Sequence, residues 1–312
     1  MKAKSIRYLP KGGLEIIEID VPKPGPGQVQ IRGSACGICA WDLHTFGNGT
    51  DAGHAAPPGH EGIGYVTAIG PGATGFEVGD RVAAGGFFTL QNVSADRAYL
   101  LPKSDLADEY WMVEPVSCVV TGIDHCNLRI GDRVAVVGCG FMGLLHVQAL
   151  AHSFADRVLG FDVVNERLQL AQDFGADAVY DPTDEEFEEL LPSLKALGID
   201  TVVEASGAQA GFALSNCLVR RGGRINNFGW IHGPVTFVGD EWHGGGYTIV
   251  NSSPSAKIRD TFPVAIRLID SGLFRLERLV THVVPLEEMP NLLRGVVSGE
   301  ISSYIKGVVK LS

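Results

Sequence analysis

The segment VAVVGCGFMG, residues 134–143, constrains the fold of this chain more than any other. An apolar run typical of a buried strand leads into Gly138, Gly140 and Gly143, spaced as G-x-G-x-x-G, and an apolar helical segment follows through His152. This order of strand, glycine turn and helix is typical of a βαβ unit that binds a dinucleotide. The first glycine forms the turn, the second lets the backbone approach a pyrophosphate, and the helix N-terminus faces the negative charge.

Asp162 lies at the end of the next predicted strand, about twenty residues after the glycine turn, where dinucleotide-binding chains carry an acidic residue. A carboxylate there holds the adenosine ribose and repels a 2′-phosphate, because like charges brought together cost several kcal/mol. The sequence therefore predicts NAD as the cofactor. Arg167, on the following helix, keeps NADP as the alternative. The alternative is that these glycines only allow the strand to pack closely on the helix, without binding a dinucleotide.

Downstream of residue 119 the chain alternates predicted strands and helices. The strands are RVLGFDV, ADAVY, DTVVEASG and RINNFG, and the helices are NERLQLAQDFG, TDEEFEELLPSLKALG and AQAGFALSNCLVRRGG. This alternation predicts an α/β fold, a doubly wound parallel sheet with helices on both faces. Besides the glycines and Asp162, the residues expected to touch the dinucleotide are Phe141, Met142, Ser206, Gly207, Phe228 and Gly229.

The first third of the chain has a different pattern. Short β-rich runs such as LEIIEID, QVQIRGSACGI and GIGYVTAIG are separated by the turn segments PKPGPG and GPGATGFEVGDRV, which predicts a mostly antiparallel β domain. After residue 257 the pattern predicts a helix over IRDTFPVAIRLIDSG, a strand over LVTHVVPL, a helix from Leu286 and a final strand over KGVVKLS.

The length and composition of the chain fit a globular protein of two domains, with 312 residues, 45% of them hydrophobic and 20% charged. The net charge of −11 argues against nucleic acid or an anionic membrane as a partner. The N-terminus shows no secretory signal, and glycines interrupt the longest uncharged run, so we expect a cytoplasmic protein without a membrane span. Six irregularly spaced cysteines suggest thiols with metal or core roles.

A second group of residues with metal-binding chemistry lies in ACGICAWDLH and GHEG, residues 35–44 and 59–62. Cys39 and His60 offer a thiolate and an imidazole, both good zinc ligands, from loop positions that a β scaffold can bring together. Asp42, three residues after Cys39, is expected to orient the imidazole through its other ring nitrogen.

A catalytic zinc also needs a further protein ligand and an open position. Glu114, in VEPVS, is the best candidate for that ligand, and Glu61, adjacent to His60, is the alternative that can substitute or exchange. Taken singly, His60 also suits a hydrogen-bonded turn, Glu114 a helix cap and Cys36 a buried core position. We prefer the core role for Cys36. Together with the downstream dinucleotide turn, the remaining residues predict zinc.

These motifs carry a resemblance to the zinc-dependent medium-chain dehydrogenases/reductases, the family of alcohol and polyol dehydrogenases. The motifs GICAWDLH, GHEGIGYVTAIG, GDRV, VEPVSCVVTGIDH, VAVVGCGFMG, VVEASG and GGRINNFG follow one another in the family's order, so the resemblance covers almost the whole chain. It implies that Cys39, His60 and Glu114 hold the catalytic zinc. A glutamate rather than a cysteine as third ligand implies the sorbitol- and threonine-dehydrogenase-like branch.

The resemblance also implies the domain organisation and assembly of the family. A catalytic GroES-like β domain is expected over residues 1–118, with residues 258–312 returning to it at the end of the chain. A Rossmann dinucleotide-binding domain is expected over residues 119–257. Assembly into a homodimer or homotetramer is expected as well.

Two departures from the family pattern matter. Many members carry four closely spaced cysteines for a structural zinc, but this chain runs from GDRVAAGGFF to RAYLLPKSD without a cysteine, so we expect one zinc per chain. The second departure is Trp41, where the family usually has Ser or Thr to pass on the alcohol proton. An indole cannot accept that proton, so we expect water, the cofactor ribose or Glu61 to accept it instead. Equally, Trp41 can form a wall of the substrate pocket. His44 matches the outer histidine of the relay.

The resulting hypothesis is NAD-dependent oxidation of a secondary hydroxyl to a ketone, with a polyol, sugar or cyclitol as the small-molecule substrate. One alternative is an NADPH-dependent aldehyde or ketone reductase of the same family. An alternative of another class is a non-catalytic dinucleotide-binding protein with a structural or regulatory role. No residue pattern selects a particular substrate.

Overall fold

The computed structural model describes residues 1–50, 58–237, 239–253 and 257–312 and divides the chain into two units. The first unit comprises Met1–Glu114 and Ile266–Ser312, and the second comprises Pro115–Ala265. The first unit therefore contains both ends of the described chain. The domain limits at residues 118 and 257 stay a prediction.

The first unit is built from a two-stranded and a seven-stranded sheet. Its strands are β1 (Lys2–Tyr8), β2 (Leu14–Asp20), β3 (Gln28–Gly37), β4 (Glu61–Ile69), β5 (Arg81–Ala83), β6 (Leu90–Ser94) and β7 (Tyr99–Leu100) and, after the six strands of the second unit, β14 (Val280–Pro285) and β15 (Lys306–Lys310). Strands β1 and β2 form an antiparallel hairpin. The larger sheet has the order β14-β15-β3-β4-β5-β7, with β6 also paired to β3, and only β14 and β15 are parallel among its described strands.

The second unit is built on a six-stranded parallel sheet. Its strands are β8 (Arg133–Val137), β9 (Arg157–Phe161), β10 (Ala178–Tyr180), β11 (Ile199–Glu204), β12 (Val219–Asn227) and β13 (Thr248–Asn251). The strand order is β10-β9-β8-β11-β12-β13, which reverses next to β8 as in doubly wound sheets. The predicted fold class, a parallel α/β unit with a separate and mostly antiparallel β unit, is confirmed.

The helices of the described chain are α1 (Ala40–Asn48), α2 (Val113–Cys126), α3 (Phe141–Ala151), α4 (Asn165–Asp173), α5 (Phe187–Leu197), α6 (Gln209–Leu218), α7 (Gly239–Gly245), α8 (Phe262–Asp270) and α9 (Met289–Val297). Short 3₁₀ turns lie between them. None of the described helices combines the length and the apolar character that crossing a membrane requires.

Each unit has its own hydrophobic core. In the second unit, continuous apolar runs such as RVAVV form strands that are buried on both faces, as helices covering a parallel sheet require. In the first unit, Tyr8 of β1 and Cys36 of β3 are buried in one core with Phe87 and with Leu293 of α9. The predicted core role of Cys36 is therefore confirmed.

Several predicted helix limits are wrong. The helices predicted from Thr183 and from Ile258 begin only at Phe187 and Phe262. The pattern AQAGFALSNCLVRRGG predicts a helix through Gly223, but α6 ends at Leu218 because Val219 already pairs with Ile199 in the parallel ladder of β12 and β11. The helix predicted from Leu286 begins at Met289, after a single 3₁₀ turn. For α6 and α9 the local composition suits a longer helix. The pairing of β12 with β11 sets the end of α6, and the 3₁₀ turn sets the start of α9.

His146 is a fully buried side chain of α3, inside the second unit. Its Nδ1 lies 2.9 Å from the carbonyl oxygen of Met142, and its ring meets the Phe228 ring edge-on with 4.4 Å between centroids. Its Nε2 has no hydrogen-bond partner among the described residues, and a Cβ at Gly122 would lie 2.5 Å from it. Burial lowers the pKa of His146 to about 4, although the bond to the Met142 carbonyl opposes this shift.

We predict that this histidine makes the second unit sensitive to acid. Its pKa falls from 6.5 to about 4 on folding, so the unfolded chain binds the proton first and stability decreases as the pH drops from 6.5 towards 4. The total loss is about 3 kcal/mol, of which about 2 kcal/mol is reached at about pH 5. His146→Leu should remove this loss in the free energy of unfolding measured at about pH 7.5 and about pH 5.

The matched control is His152→Leu, since His152 is exposed just beyond the end of α3. The control should keep the pH dependence of the wild type. An equal loss of stability between the two pH values in wild type and His146→Leu would contradict the role of the buried ring.

Candidate active site

Three neighbouring strands bring the predicted metal-binding residues of the first unit together. Strand β3 ends at Gly37, which pairs with Glu61, the first residue of β4. On the other side of β3, Gly37 pairs with Val308 of β15. Because both pairings are antiparallel, Cys39 just after β3, His60 just before β4 and the first residues of β15 lie at the same end of the sheet.

The ligand atoms of Cys39, His60 and Glu61 lie within 4.8 Å of one another. A thiolate sulfur, an imidazole nitrogen and a carboxylate oxygen are donors that zinc binds at about 2.0–2.3 Å, so this group suits a zinc ion in its chemistry and its spacing. Glu114, the second residue of α2, is half-buried and is not a member of this group of described residues. Its role as the third ligand stays a prediction, as does the exchange of Glu61.

The Glu61 carboxylate forms a buried ion pair with Lys306, the first residue of β15. Lys306 Nζ donates a hydrogen bond to Oε1 at 2.8 Å and lies 2.6 Å from Oε2, and the two side chains are only 3% and 4% exposed. The same ammonium group donates to the Ile38 carbonyl oxygen at 2.8 Å. Burial acts to lower the pKa of Lys306, but Glu61, Cys39 and Tyr304 together outweigh it and the pKa is raised. The lysine is therefore a buried cation beside the predicted metal ligands.

Asp42 fixes the backbone of Cys39 at the start of α1. Its carboxylate accepts hydrogen bonds from the Cys39 N–H at 2.7 Å and from the Tyr8 hydroxyl at 2.6 Å. Burial raises the pKa of Asp42, and it raises the pKa of the Cys39 thiol to about 12, with the Glu61 carboxylate adding to the second shift. The orientation of His60 by Asp42 stays a prediction.

Trp41 and His44 lie on α1, immediately after Cys39. Trp41 packs against the core of the first unit, and its ring meets the Tyr8 ring edge-on at 5.9 Å between centroids. The Nδ1 atom of His44 lies 3.2 Å from Nδ2 of Asn48, one turn later in the helix. The pocket-wall role of Trp41 and the relay role of His44 stay predictions.

The glycine turn of the second unit connects β8 to α3. Gly138 has a φ of 92°, and a Cβ there would lie 2.5 Å from the backbone nitrogen of Ser206. A Cβ at Gly143 would lie 1.8 Å from the Gly138 carbonyl oxygen, so both positions require glycine. A Cβ at Gly140 would meet nothing within 4 Å. The open space over Gly140, at the N-terminus of α3, suits the pyrophosphate of a dinucleotide.

A cavity of about 540 Å³ lies beside this turn, a volume typical of cofactor pockets. Its lining includes five of the predicted dinucleotide-binding residues, which are Gly138, Gly140, Asp162, Arg167 and Ser206. The other predicted contacts do not belong to the described lining and stay predictions; they are Phe141, Met142, Gly143, Gly207, Phe228 and Gly229.

Asp162 follows β9 and is tied to the glycine turn. Its Oδ2 accepts a hydrogen bond from the Cys139 N–H at 2.6 Å, and its Oδ1 accepts one from the Val164 N–H at 3.0 Å. The Arg167 guanidinium lies 4.0 Å from Oδ1. Each carboxylate oxygen has a second lone pair, so Asp162 can still accept from a ribose hydroxyl.

Glu204, the last residue of β11, joins two loops at the carboxyl end of the sheet and is fully buried. Its Oε1 accepts hydrogen bonds from the N–H groups of Ser206 at 2.9 Å and Gly207 at 3.1 Å, and from the Ser206 hydroxyl. Its backbone oxygen accepts from the N–H groups of Phe228 at 2.9 Å and Gly229 at 2.7 Å. Burial raises the pKa of Glu204, while the bonds from Ser206 and Gly207 oppose the shift. One residue therefore fixes both loops that are predicted to contact the dinucleotide.

Sequence reasoning did not single out Lys306 or Glu204. The available signals are a lysine that opens the apolar run KGVVK and a glutamate that ends the apolar run TVVE. A charged side chain inside a buried strand needs a partner, so each residue indicates a polar contact. Neither signal identifies that partner.

Comparisons with known proteins match both units. Two family models match, the Alcohol dehydrogenase GroES-like domain over residues 25–100 and Zinc-binding dehydrogenase over residues 142–271. L-threonine 3-dehydrogenase of Pyrococcus horikoshii is 28% identical, with 95% of this chain and 97% of that protein covered. Sorbitol dehydrogenase of Gallus gallus is 28% identical, with coverage of 89% and 88%. The crystal structure of an Escherichia coli oxidoreductase/dehydrogenase of unknown specificity has a TM-score of 0.90 at 25% identity and covers 100% of both chains.

We predict that Gly37→Ala destabilises the first unit. A Cβ at this position would lie 2.0 Å from Oε2 of Glu61 and 3.1 Å from the sulfur of Met112, so the buried ion pair must move. Overpacking of this kind costs about 1–3 kcal/mol, which equilibrium unfolding in urea measures. Gly239→Ala is the control, because a Cβ there would meet nothing within 4 Å. Equal losses in the two variants would argue against the steric explanation.

We also predict that Glu204→Ala weakens dinucleotide binding. The N–H groups of Ser206 and Gly207 lose their acceptor, and the loop that approaches Gly138 loses its fixed position. The loss of such buried bonds costs about 1–3 kcal/mol, so the dissociation constant should rise by at least about fivefold. Fluorescence titration with NADH or NADPH, whichever the wild type binds more tightly, measures this change.

Two further variants serve as controls for Glu204→Ala. Glu204→Gln keeps an oxygen acceptor and should lose less affinity than Glu204→Ala. Glu189→Ala removes an exposed glutamate of α5 and should bind like the wild type. Unchanged binding by Glu204→Ala would show that the loop of Ser206 and Gly207 holds its position without the carboxylate.

Proposed function

The chain belongs to the zinc-type medium-chain dehydrogenases, and from this premise we propose that it oxidises a secondary alcohol to a ketone with NAD, at a single zinc site in the first unit. Alcohol oxidoreduction is the activity of the family. The zinc dependence, the choice of NAD and the class of alcohol are the proposed parts. The observation that carries the proposal is the group formed by Cys39, His60 and Glu61, whose ligand atoms lie within 4.8 Å of one another.

We assign zinc binding to Cys39 and His60, together with Glu114 or Glu61 as the carboxylate ligand. Bound zinc supplies a Lewis acid that stabilises negative charge on the oxygen of an alcohol substrate. The chain's own groups prepare the position: Asp42 holds the Cys39 backbone by a 2.7 Å hydrogen bond, and Lys306 neutralises Glu61.

The residues around Cys39 also suit the handling of the alcohol and its proton. His44, on α1 after Cys39, is proposed to take the proton outward. Trp41 is proposed to form a wall against the carbon skeleton of the substrate. The relatives named for L-threonine and sorbitol support a polar secondary alcohol such as a polyol, sugar or cyclitol. The proposed partners are therefore the small-molecule alcohol and its ketone, with assembly as a homodimer or homotetramer.

NAD is the proposed dinucleotide, and its nicotinamide ring supplies the hydride acceptor. Asp162 supports NAD because its buried carboxylate lines the cavity beside the glycine turn and disfavours a 2′-phosphate. Arg167 supports the alternative, an NADPH-dependent reductase, because its guanidinium lines the same cavity 4.0 Å from Asp162. Initial rates with NAD and NADP at equal concentration distinguish the two.

We predict that Cys39→Ser removes both zinc and turnover. The wild type should hold about one zinc per chain, measured by metal analysis after dialysis, and should reduce NAD with a polyol or sugar substrate. Replacing the thiolate by a hydroxyl, a poor zinc ligand, should lower the zinc content and reduce turnover by at least about a hundredfold. Cys217 lies in the second unit, where it lines the dinucleotide cavity, so it is a control for zinc content alone, and Cys217→Ser should keep its zinc.

The same measurements test the proposal against its non-catalytic alternative. Zinc in the wild type together with chelator-sensitive turnover supports the dehydrogenase. Dinucleotide binding by a wild type that holds no zinc would overturn the proposal and favour a structural or regulatory protein.

A further inference from the structure

A small polar cavity lies beside the amino ends of β11, β12 and β13 in the second unit. Its volume is about 150 Å³, below the ~300 Å³ at which pockets for drug-sized ligands begin. Among the described residues it shares no lining residue with the dinucleotide cavity at the carboxyl ends of the strands. The charged residues of its lining are Arg129, Asp132, Asp200, Arg220 and Arg224. The cavity therefore suits one small ion, and arginines outnumber carboxylates around it.

A bulge in β12 shapes one wall of this cavity. Between two paired positions, β12 advances through residues 220–223, whereas β11 advances through Asp200 alone. Gly222 has a φ of 68°, and a Cβ at Gly223 would lie 2.9 Å from the Asp200 carbonyl oxygen. Both positions therefore favour glycine, and both glycines line the cavity. The local sequence RRGG thus supplies the turn as well as positive charge.

Beyond the bulge, Arg224 lies in a row between two threonines. It pairs with Thr201 of β11 on one side and with Thr248 of β13 on the other. Paired residues of neighbouring strands point to the same face of a sheet, and all three of these residues line the cavity. A guanidinium group has five N–H donors, and each hydroxyl can add one more. The row therefore offers donors from three strands to the oxygens of an anion.

The two carboxylates of the lining already accept hydrogen bonds. Asp200 Oδ1 accepts from Arg220 Nε at 2.6 Å, and Asp200 Oδ2 accepts from the Arg133 N–H at 2.9 Å. Asp132 Oδ2 accepts from the Arg129 N–H at 2.8 Å. With Asp200 paired to Arg220, the charges that remain around the cavity are those of two arginine side chains and Asp132. The cavity therefore keeps a net positive charge.

Those two arginine side chains lack a protein partner. Within the described part of the chain, the guanidinium groups of Arg129 and Arg224 form no hydrogen bond and no ion pair. Arg129 is exposed, but Arg224 is half-buried in the sheet. A cation that is partly removed from water is stabilised by a counter-ion, and the planar guanidinium group matches phosphate oxygens with two parallel N–H bonds. The partner that the cavity lacks is therefore an oxyanion.

We propose that this cavity binds a phosphate group, with Arg224 and Arg129 as its cationic partners and the hydroxyls of Thr201 and Thr248 as further donors. Phosphate suits the site better than a carboxylate does, because its tetrahedral oxygens can meet donors on several elements at once. The bound group would connect β12 to the segment between α2 and β8, and would stabilise the folded second unit by mass action. The site does not depend on the zinc chemistry proposed above.

The experiment titrates inorganic phosphate into the full chain by isothermal calorimetry, at an ionic strength kept constant with chloride. A saturating dinucleotide is present, so that phosphate does not enter the glycine turn. The wild type should bind about one phosphate per chain with a Kd of about 1 mM or lower. Arg224→Gln loses a charge-assisted contact and should raise the Kd at least about tenfold. Arg129→Gln, at an exposed position, should raise it at least about threefold.

Arg221→Gln is the matched control. Arg221 lies in the same bulge, but it is not among the residues of the cavity lining, and a Cβ at Gly244 would lie 3.8 Å from its Nη2. The control should bind phosphate within about twofold of the wild type. A loss equal to that of Arg224→Gln would show a general effect of charge and would overturn the site.

Other outcomes would also overturn the inference. One is a wild type without saturable phosphate binding below about 10 mM. Another is an Arg224→Gln variant that folds and binds like the wild type. If Arg224→Gln does not fold, Arg129→Gln carries the test, and an unchanged Kd in that variant would reject the site.

A titration with glycerol 3-phosphate distinguishes the two sources of the phosphate group. Binding at least as tight as that of inorganic phosphate supports a phosphate group on a larger molecule. Binding about tenfold weaker supports free phosphate. A chain that binds no dinucleotide is titrated without it. A chain that holds no zinc but binds phosphate through Arg224 would reject the proposed function and support this site.

Discussion

The placement of β3 between β15 and β4 is the constraint on which the first site depends. It brings Lys306 against Glu61, a residue 245 positions away in the chain. Both side chains are buried from water there. Burying either charge alone costs several kcal/mol, so the position of each strand is tied to that of the other. A slip of one residue in either ladder would turn one side chain to the opposite face and separate the two charges.

Two kinds of partner compensate these buried carboxylates. Asp42 accepts from a hydroxyl and a backbone N–H, and Glu204 accepts from backbone N–H groups and a hydroxyl. Both serve to fix backbone, one at the start of α1 and the other in the loop after β11. Glu61 instead faces an ammonium group. A metal ion competes directly with such a partner, because both are cations, whereas backbone donors keep their acceptor when a cation arrives nearby.

The sequence predicts those features that depend on local patterns. The glycine turn at Gly138 and the alternation of strands and helices are local, and the fold class follows from them and is confirmed. The end of α6 was mispredicted because Val219 joins a ladder with Ile199 that the local composition does not reveal. The ion pair at Lys306 is a still longer-range feature. Strand composition suggests that a buried lysine needs an anion, but only the register of β15, β3 and β4 identifies Glu61 as that anion.

The buried lysine also explains how a carboxylate can stand beside a metal position without blocking it. A zinc site that exchanges substrate needs a position from which a ligand leaves at low cost. A carboxylate displaced by a neutral alcohol would otherwise remain as an unpaired charge in a buried setting, which opposes its departure by several kcal/mol. With the ammonium of Lys306 within 2.8 Å, a Glu61 carboxylate that is not bound to a metal ion would still have a cationic partner. The same ion pair that links the two strands would thus stabilise the carboxylate beside the proposed metal position.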